Sequence, residues 1–230
     1  MSKPNVICHM TVSLDGKVTG AFLETKAGSA ACEAYYEVHR NFKADAIACG
    51  RVTMIGSFTQ GWQPDLTPFK DAEVPDGDFV AQQADFYAVA FDRHGSLGWR
   101  ESHIHDEDPG YDNAHIVEVV CADAEKAYLA YLRSIGVSYI IGGETDLDLA
   151  LVLEKLKSLF GIKLLLLEGG GTLNGSFQRA HLIDEVSVIL APAVAGEGEK
   201  CLFEGGSLEE YELKDTRMMD GGSLWLRYEK

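Results

Sequence analysis

Short apolar runs alternate with amphipathic segments along most of this chain, and polar stretches rich in glycine or proline separate them. The runs are rich in Val, Ile and Leu, as in buried strands, while the amphipathic segments repeat apolar residues every three or four positions, as in helices. The predicted strands cover residues 5–12, 44–50, 85–92, 115–122, 137–143, 162–170 and 183–192. This alternation predicts an α/β fold with a mostly parallel sheet and helices on both faces.

Helices are predicted between these strands, and turn residues bound most of them. The predicted helices cover residues 29–44 with Ser29 as a possible N-cap, 51–57, 124–136 after a capping Asp123, 146–160 and 172–179. The tail 211–230 has two extended segments around Asp220-Gly221-Gly222, which predicts an antiparallel hairpin at one edge of the sheet. No linker or internal repeat divides the chain, so we predict a single domain over residues 1–230.

Composition and charge narrow the classes of function. The 230 residues are 46% hydrophobic and 24% charged, which is typical of a globular protein. The net charge of −16 argues against a nucleic-acid partner and, more weakly, against an anionic membrane surface. The five cysteines form no CxxC pair, and the N-terminus lacks the apolar segment of a signal peptide. We therefore expect a cytoplasmic protein with reduced thiols that does not bind a membrane.

Two strand-to-helix junctions carry the clearest chemical signal. The segments AIACGRVTM and LLLLEGGGTLNGSF each lead a buried strand into glycine and then into a helix start. Ligands of parallel α/β sheets bind at such strand ends, and the unpaired N–H groups of a helix start attract anions. Two such junctions could hold the two ends of a dinucleotide, and Arg51 could pair with a 2′-phosphate such as that of NADPH. The alternative is that the glycines only make tight turns and that Arg51 is solvated.

The segments TVSLDGKVTG, CGRVTM and LLLEGGGTLNGSFQRAHLIDEVSVILAPAVAGEG together resemble the dihydrofolate-reductase-like family. More narrowly, they are similar to the reductase domain of riboflavin biosynthesis, which in bifunctional proteins follows a deaminase. The zinc motif of that deaminase is absent from this sequence. The resemblance implies a three-layer α/β sandwich, NADPH as cofactor, a homodimer, and hydride transfer to the imine of a ribosylamino-pyrimidine phosphate.

The resemblance also assigns residues to the cofactor and to the substrate. Those that would contact the cofactor are Val12, Leu14, Gly50, Arg51, Thr53, Asp92, Gly170, Gly171, Thr172 and Leu173. Within this group, residues 50–53 would meet the adenine-side phosphates, with Asp92 near the adenosine, and residues 170–173 would hold the pyrophosphate. Residues 12–14 would flank the nicotinamide. Those that would face the substrate are Ser13, Asp15 and Glu168.

Asp15 and Glu168 are the candidate catalytic residues. A cationic iminium accepts hydride better than a neutral imine, so a nearby carboxylate could stabilise it or relay a proton. Asp15 is equally explained as a turn residue of SLDGK, and the two roles can coexist. Glu168 ends a run of four leucines, so we expect it to be partly buried and bonded to a hydroxyl, a backbone N–H or a substrate group.

One segment departs from the pattern of the riboflavin reductases. Where they usually carry a sequence similar to N-P-x-L-T-x-R, this chain has QPDLTPFKD, which lacks the arginine. Lys70 could substitute for it as a point charge rather than a bidentate fork. The alternatives are therefore a reductase of another pterin-like or small imine or carbonyl substrate, and a non-catalytic nucleotide-binding protein of the same fold.

Several other side chains have two interpretations. Trp62 and Phe69, in the proline-rich loop at residues 60–78, could stack on a flat heterocycle or pin the loop. His103 and His105 precede three acidic residues, a combination that can bind a metal, but a solvated acidic loop is the favoured interpretation. We predict no metal site, and we expect His9 to be a core or cleft histidine.

Overall fold

The computed structural model describes residues 3–230, which fall into two compact units. The first unit contains Asp45–Leu165 together with Lys3 and Pro4, and the second contains Asn5–Ala44 and Leu166–Lys230. This division does not test the single-domain prediction, which stays a prediction. No helix within residues 3–230 is both long enough and apolar enough to cross a membrane.

The regular elements follow the predicted alternation of strands and helices. In chain order they are β1 (Asn5–Val12), α1 (Lys26–Phe42), β2 (Ala46–Gly50), α2 (Arg51–Met54), β3 (Tyr87–Phe91), β4 (His115–Val120), α3 (Lys126–Ser134), β5 (Ser138–Ile141), α4 (Leu149–Phe160), β6 (Leu164–Leu167), α5 (Gly171–Arg179), β7 (Glu185–Leu190), β8 (Glu212–Met218) and β9 (Leu224–Glu229). A π-helical turn, Ile55–Thr59, continues α2, so this helical segment ends two residues beyond the predicted 51–57.

The first unit is built on parallel strands in the order β5-β4-β3-β2. Nearly every residue of β2, β3 and β4 is buried, as expected for parallel strands with both faces covered. Glu118 is one of these buried residues, although a glutamate with an ordinary pKa is charged at neutral pH.

The second unit contains both parallel and antiparallel strand pairs. β1 pairs in parallel with β7, while β9 pairs antiparallel with both β7 and β8. The predicted C-terminal hairpin is therefore confirmed. The buried face of α1, which includes Ala31, Ala34 and Val38, packs in one apolar cluster with Ile189 of β7.

The first helix starts earlier than predicted, because its cap is Thr25 rather than Ser29. The Thr25 hydroxyl accepts a hydrogen bond from the N–H of Gly28 at 3.1 Å. A Cβ atom at Gly28 would lie 1.9 Å from the carbonyl oxygen of Phe22, so only glycine lets the helix start approach the preceding turn this closely.

Two other predicted helix starts are also wrong by a few residues. α4 begins at Leu149, where Asp148 accepts hydrogen bonds from two backbone N–H groups, instead of at residue 146. α3 begins at Lys126, and its N-cap residue is Glu125 rather than Asp123. In both cases several acidic residues precede the helix, so the sequence offers more than one cap.

The proline-rich loop at residues 60–78 is anchored within the first unit by its aromatic side chains. The guanidinium of Arg100 lies 4.6 Å above the ring of Trp62. The ring of Phe69 makes an edge contact with Tyr131 at 5.7 Å between centroids. These contacts support the interpretation that Trp62 and Phe69 pin the loop.

Candidate active site

In the first unit, the junction after β2 places Gly50 and Arg51 at an uncapped helix start. Gly50 is the N-cap of α2, and no side chain accepts a hydrogen bond from the first turn. The Arg51 side chain is half exposed, and its Nε lies 4.0 Å from Oδ1 of Asp92. Thr53 is partly buried in the same turn. A loosely held guanidinium beside free backbone N–H groups suits a phosphate.

Asp92 lies close to Arg51 as the prediction requires, but its carboxylate is turned into the protein. The residue is 2% exposed. Its Oδ2 accepts hydrogen bonds from the backbone N–H groups of Ser96 and Leu97 and thereby closes the turn after β3. The described contacts of Asp92 support a role in holding this turn and Arg51. Contact with an adenosine stays a prediction.

The buried carboxyl group of Glu118 lies next to Asp92, and sequence reasoning did not single it out. The indole Nε1 of Trp99 donates to Glu118 Oε2 at 2.7 Å. The Tyr128 hydroxyl is 3.2 Å from Glu118 Oε1 and 2.9 Å from the carbonyl oxygen of Leu97. The carbonyl oxygen of Leu97 can only accept a hydrogen bond. If Tyr128 donates its one proton to Leu97, the hydrogen bond between Tyr128 and Glu118 Oε1 requires a proton on Glu118.

The electrostatics around Glu118 agree with this assignment. Burial raises the pKa of Glu118 well above its usual value, and the negative charge of Asp92 raises it further. Both effects favour the neutral acid form of Glu118 over its carboxylate. A glutamate in the middle of the apolar strand HIVEVV was the sequence signal that could have identified it.

In the second unit, the junction after β6 is a second uncapped helix start. Gly170 is the N-cap of α5, and no side chain caps the helix. A Cβ atom at Gly171 would lie 2.1 Å from the carbonyl oxygen of Cys201, which explains glycine at this position. The first turn of α5 contains Gly171, Thr172 and Leu173, the residues predicted to hold a pyrophosphate.

Glu168, which immediately precedes the glycines, is almost completely buried. Its carboxylate Oε1 lies 2.7 Å from Nδ1 of His39, and the side chains are 2% and 3% exposed. Burial was predicted, but an imidazole partner was not among the expected types. His39 lies on α1, 129 residues away in the sequence, and no local pattern pairs it with Glu168.

Asn174 is a further buried polar residue at this helix start, and it was not predicted. It is 0% exposed, and neither its amide nitrogen nor its amide oxygen has a hydrogen-bond partner within the described residues. Unsatisfied buried amides are uncommon in folded proteins and usually have a specific reason. Asn174 therefore marks the start of α5 as a place that can accept another polar group.

The segment 12–15 forms a tight turn whose polar groups bond to one another. Val12 and Ser13 are buried, whereas the side chain of Leu14 is 59% exposed. The Ser13 hydroxyl donates to Asp15 at 2.6 Å and accepts from the backbone N–H of Lys17. The Ser13 hydroxyl is thus already engaged within the turn, and contact with a substrate stays a prediction.

Asp15 is exposed and also bonds to the loop at residues 195–196. Its carboxylate accepts the backbone N–H groups of Ala195 at 2.9 Å and Gly196 at 3.0 Å. The hydrogen bond from Ser13, followed by these two, holds the pKa of Asp15 well below its usual value. Asp15 is therefore ionised at physiological pH, which suits charge stabilisation and turn formation but not proton donation.

Lys17 is a cation that the sequence interpretation missed. Its ammonium donates to Cys201 Sγ at 3.3 Å, and this contact raises the pKa of Lys17. The carbonyl of Cys201 in turn lies against Gly171. The structure thereby links a lysine through Cys201 to the start of α5, where an anion was predicted.

The histidines that the sequence analysis considered as metal ligands or core residues, His9, His103 and His105, are not part of a metal site within residues 3–230. His105 is exposed and bonds to Glu101 at 2.9 Å. Among residues 3–230, no group of three or more His, Cys, Asp or Glu side chains has a geometry that could hold a metal ion. The five cysteines are all free thiols. His9 is completely buried, as expected for a core histidine.

Comparison with known proteins identifies the family. The family described as the RibD C-terminal domain matches residues 4–226. This chain belongs to the RibD C-terminal domain family. The family assignment confirms the predicted membership in the reductases of riboflavin biosynthesis, and the chain is an oxidoreductase. Membership implies a nicotinamide cofactor and a small-molecule substrate.

Three similar proteins show how far the likeness extends. A 2,5-diamino-6-ribosylamino-4(3H)-pyrimidinone 5′-phosphate reductase of Methanothermobacter thermautotrophicus is 30% identical over 210 residues, which cover 90% of this chain and 87% of the relative. The structure of Acinetobacter baumannii RibD is 23% identical with a TM-score of 0.67, and the match covers 99% of this chain but only 58% of that one. A pyrimidine reductase-like protein of Corynebacterium diphtheriae has a TM-score of 0.68 at 16% identity, covering 98% of this chain and 91% of the other. These structures confirm the predicted fold.

Proposed function

We propose that this RibD C-terminal domain protein is an NADPH-dependent reductase that acts on a ribosylamino-pyrimidine 5′-phosphate. The observation that carries the proposal is a buried carboxylate, Glu168, just before the N-terminus of the uncapped helix α5. A relative with the matching pyrimidinone phosphate reductase activity in its name supports the substrate class. When bound, the nicotinamide would supply the hydride, and the protein would supply orientation and electrostatics.

The residues at the start of α5 fit a pyrophosphate. The first-turn N–H groups lack a side-chain cap, and the glycines at positions 169–171 let the backbone approach a ligand. The two unpartnered amide atoms of Asn174 show that the polar groups here are not satisfied by the protein alone. Lys17 adds a positive charge on the side of Cys201.

The junction after β2 fits an additional phosphate, which favours NADPH over NADH. Arg51 is half exposed and contacts Asp92 only at 4.0 Å, so most of its N–H donors can turn to a ligand. The N-terminus of α2 lacks a side-chain cap, as does that of α5. A 2′-phosphate would meet a bidentate guanidinium and backbone N–H groups together.

The carboxylates of Glu168 and Asp15 would have different roles. Glu168, in a buried setting, would stabilise the positive charge of an iminium, because a charge acts strongly where water is excluded. Asp15 is ionised and tied to the backbone of residues 195–196, so it would hold the turn at residues 12–15 in place and add negative potential.

The substrate phosphate is the part of the proposal with a specific alternative. Lys70 is exposed at the end of the short helical turn Thr67–Phe69, where the resemblance to the riboflavin reductases leads us to expect an arginine. A flexible ammonium binds phosphate less specifically than a guanidinium. A substrate without this phosphate, a related pterin-like heterocycle, is therefore the second candidate.

We further propose that the protein is a cytoplasmic homodimer. Six of the seven residues of the edge strand β8 are exposed, and they include the apolar side chains of Leu213 and Met218. An exposed edge strand with apolar side chains is a common site of association. A second copy of this chain is the occupant that we expect.

Purified protein, NADPH and candidate substrates test the proposal directly. The pyrimidine ribosylamine 5′-phosphate, its dephosphorylated form and a dihydropterin are compared by the loss of reduced-nicotinamide absorbance. We expect turnover with the phosphate ester and at least about tenfold lower kcat/KM without the phosphate. Equal rates with both forms would support the second candidate, and NADPH binding without consumption of any substrate would overturn the reductase assignment.

A further inference from the structure

A buried hydrogen bond links the carboxylate at the start of α5 to helix α1. His39 Nδ1 and Glu168 Oε1 are 2.7 Å apart, and both side chains are almost completely shielded from water. If Glu168 is ionised, its oxygen can only accept, and Nδ1 of His39 then carries the proton. An imidazolium or a neutral Nδ1–H tautomer both satisfy this requirement.

The neighbouring histidine, His9 on β1, has the opposite arrangement. Its Nε2 lies 3.1 Å from the carbonyl oxygen of Tyr35 and must donate to it. Its Nδ1 is 3.1 Å from the Ser187 hydroxyl, which accepts from Trp225 Nε1 and so has its own proton available for His9. The same Nδ1 also lies 3.3 Å from the carbonyl oxygen of Ser187. Burial lowers the pKa of His9, which favours its neutral form, although the charge of Glu168 opposes this shift.

The other titratable group that faces Glu168 from β1 is also neutral. Burial, and then the charge of Glu168, raise the pKa of the Cys8 thiol. Neither Cys8 nor His9 thus offers a positive charge to the carboxylate. His39 is a group able to become cationic that the structure places in direct contact with the Glu168 carboxylate.

We propose that His39 is a positioning residue for the reaction: its Nδ1–H fixes the Glu168 carboxylate at the start of α5. This inference rests on the proposed function, because it assumes that Glu168 faces the substrate. Loss of this hydrogen bond would let the carboxylate leave its orientation, and a misplaced carboxylate stabilises a cation less well. The residue after Glu168 is Gly169, in the left-handed region with φ of 98°, so the following backbone does little to fix the side chain.

Variants that differ in hydrogen-bond geometry separate positioning from packing. In H39N, the amide nitrogen takes the place of Nδ1 and can donate to Glu168, whereas the amide nitrogen of H39Q reaches the place of Nε2. H39L keeps bulk but cannot donate. The matched control is His181, whose Nδ1 also contacts a glutamate, Glu209, at 2.9 Å but whose side chain is 64% exposed.

We expect H39L and H39Q to lose about 10- to 100-fold in kcat, the usual effect of a lost hydrogen bond to a charged group. H39N should stay within about threefold of wild type, and NADPH affinity by fluorescence titration should be unchanged in every variant. H181L and H181N should both react like wild type. If H39L does not fold, the comparison of H39N with H39Q decides, and equal activity of these two would overturn the positioning role.

A readout that does not depend on turnover keeps this inference separate from the proposed function. The ¹⁵N resonance of His39 Nδ1 should show a bound proton, and E168Q should shift that resonance while leaving His181 unchanged. If wild type reduces no substrate but the resonance responds as expected, the hydrogen bond stands and the reductase proposal fails. If wild type is active and the resonance shows Nδ1 unprotonated, the role of His39 is wrong.

Discussion

At the scale of single residues, buried polar groups carry most of the chemistry of this protein. Glu168, Glu118 and Asp92 are each less than 7% exposed, and each has defined hydrogen-bond partners. The surroundings of the two glutamates differ: Glu168 contacts the imidazole of His39, whereas Glu118 is buried beside the negative charge of Asp92, which together with burial raises the pKa of Glu118. The same residue type therefore meets a different electrostatic environment in each unit.

If Glu118 is a neutral acid, its replacement by glutamine should change the stability of the fold little. E118Q replaces a protonated acid by an amide of the same shape, so its free energy of unfolding at pH 7 should lie within about 1 kcal/mol of wild type or above it. E118A removes the side chain and leaves Trp99 without an acceptor, which should cost about 2–5 kcal/mol. Urea denaturation followed by tryptophan fluorescence measures both. A loss in E118Q as large as in E118A would contradict the assignment.

The sign of the pH dependence follows from the raised pKa of Glu118. Relative to E118Q, wild type should be most stable below the pKa of an unfolded glutamate, about 4.3. It should lose this advantage as the pH rises toward the higher folded-state pKa, because folding then disfavours ionisation. Denaturation series for both proteins at pH 4 to 8 provide the comparison. A difference in stability that stays constant over this range would count against a raised pKa.

Arg51 is the residue that should decide between the two nicotinamide cofactors. R51A should weaken NADPH binding about 10- to 100-fold and leave NADH binding nearly unchanged, because only NADPH carries a 2′-phosphate for the guanidinium. R51K should be intermediate, since an ammonium makes no bidentate contact. Quenching of tryptophan fluorescence gives the dissociation constants. Equal weakening for both cofactors would assign Arg51 to a group that they share.

At the scale of elements, two strand-to-helix junctions repeat one design with different side chains. Each places glycine as the N-cap without any capping side chain, and each is followed by a helix whose first N–H groups can meet an anion. By contrast, α1 and α4 carry Thr25 and Asp148 as capping side chains. α3 also lacks a capping side-chain hydrogen bond, with Glu125 at its N-cap, so the feature that distinguishes the two junction helices is glycine at the N-cap.

The cap of α1 gives a prediction with a built-in control. T25A should lower the free energy of unfolding by about 1 kcal/mol, because it removes the acceptor for the Gly28 N–H. T25S should retain most of the stability. S29A, at the position that the sequence pattern favoured, should change it by less than about 0.5 kcal/mol. Thermal and urea denaturation give these values, and a larger loss for S29A than for T25A would return the cap to Ser29.

At the scale of the whole molecule, the edge strand β8 is the feature that is hardest to explain if the protein is a monomer, because its apolar side chains would then stay exposed. Its apolar residues Leu213 and Met218 are 58% and 81% exposed, and its partner β9 is only half buried. Burial of such residues between two copies would remove an edge that otherwise invites uncontrolled association. The proposed homodimer therefore has a physical reason independent of the family resemblance.

The dimer can be tested by charge placed on that edge. The double variant L213K/M218K should sediment as a monomer at concentrations where wild type is a dimer, because two cations per chain would be buried at the interface. L208K, at a leucine that is 95% exposed outside the strand, is the control and should stay dimeric. Analytical ultracentrifugation distinguishes the species. A double variant that sediments like wild type would place the interface elsewhere.

Much of the fold could be predicted because its signals are local. Apolar strands, the two glycine junctions and the Asp220–Gly222 hairpin all appear in contiguous sequence, and the structure places them as expected. Helix starts were less predictable, since Thr25 and Ser29 are both good caps and tertiary packing of Gly28 against Phe22 favours the former. The candidate site was predicted in part: Glu168 was found with its burial, but His39, Asn174 and Lys17 were not.

The sequence by itself determined the class of fold, the family and the position of the two junctions. The signals for them, which are apolar periodicity, glycine and charge, each lie within a short contiguous segment. Only the tertiary structure decided which donors and charges surround each buried carboxyl group. The cost of burying a charge depends on donors that arrive from other parts of the chain, as His39 does for Glu168 and Trp99 does for Glu118. Those distances are properties of the folded chain and are not encoded in any one segment.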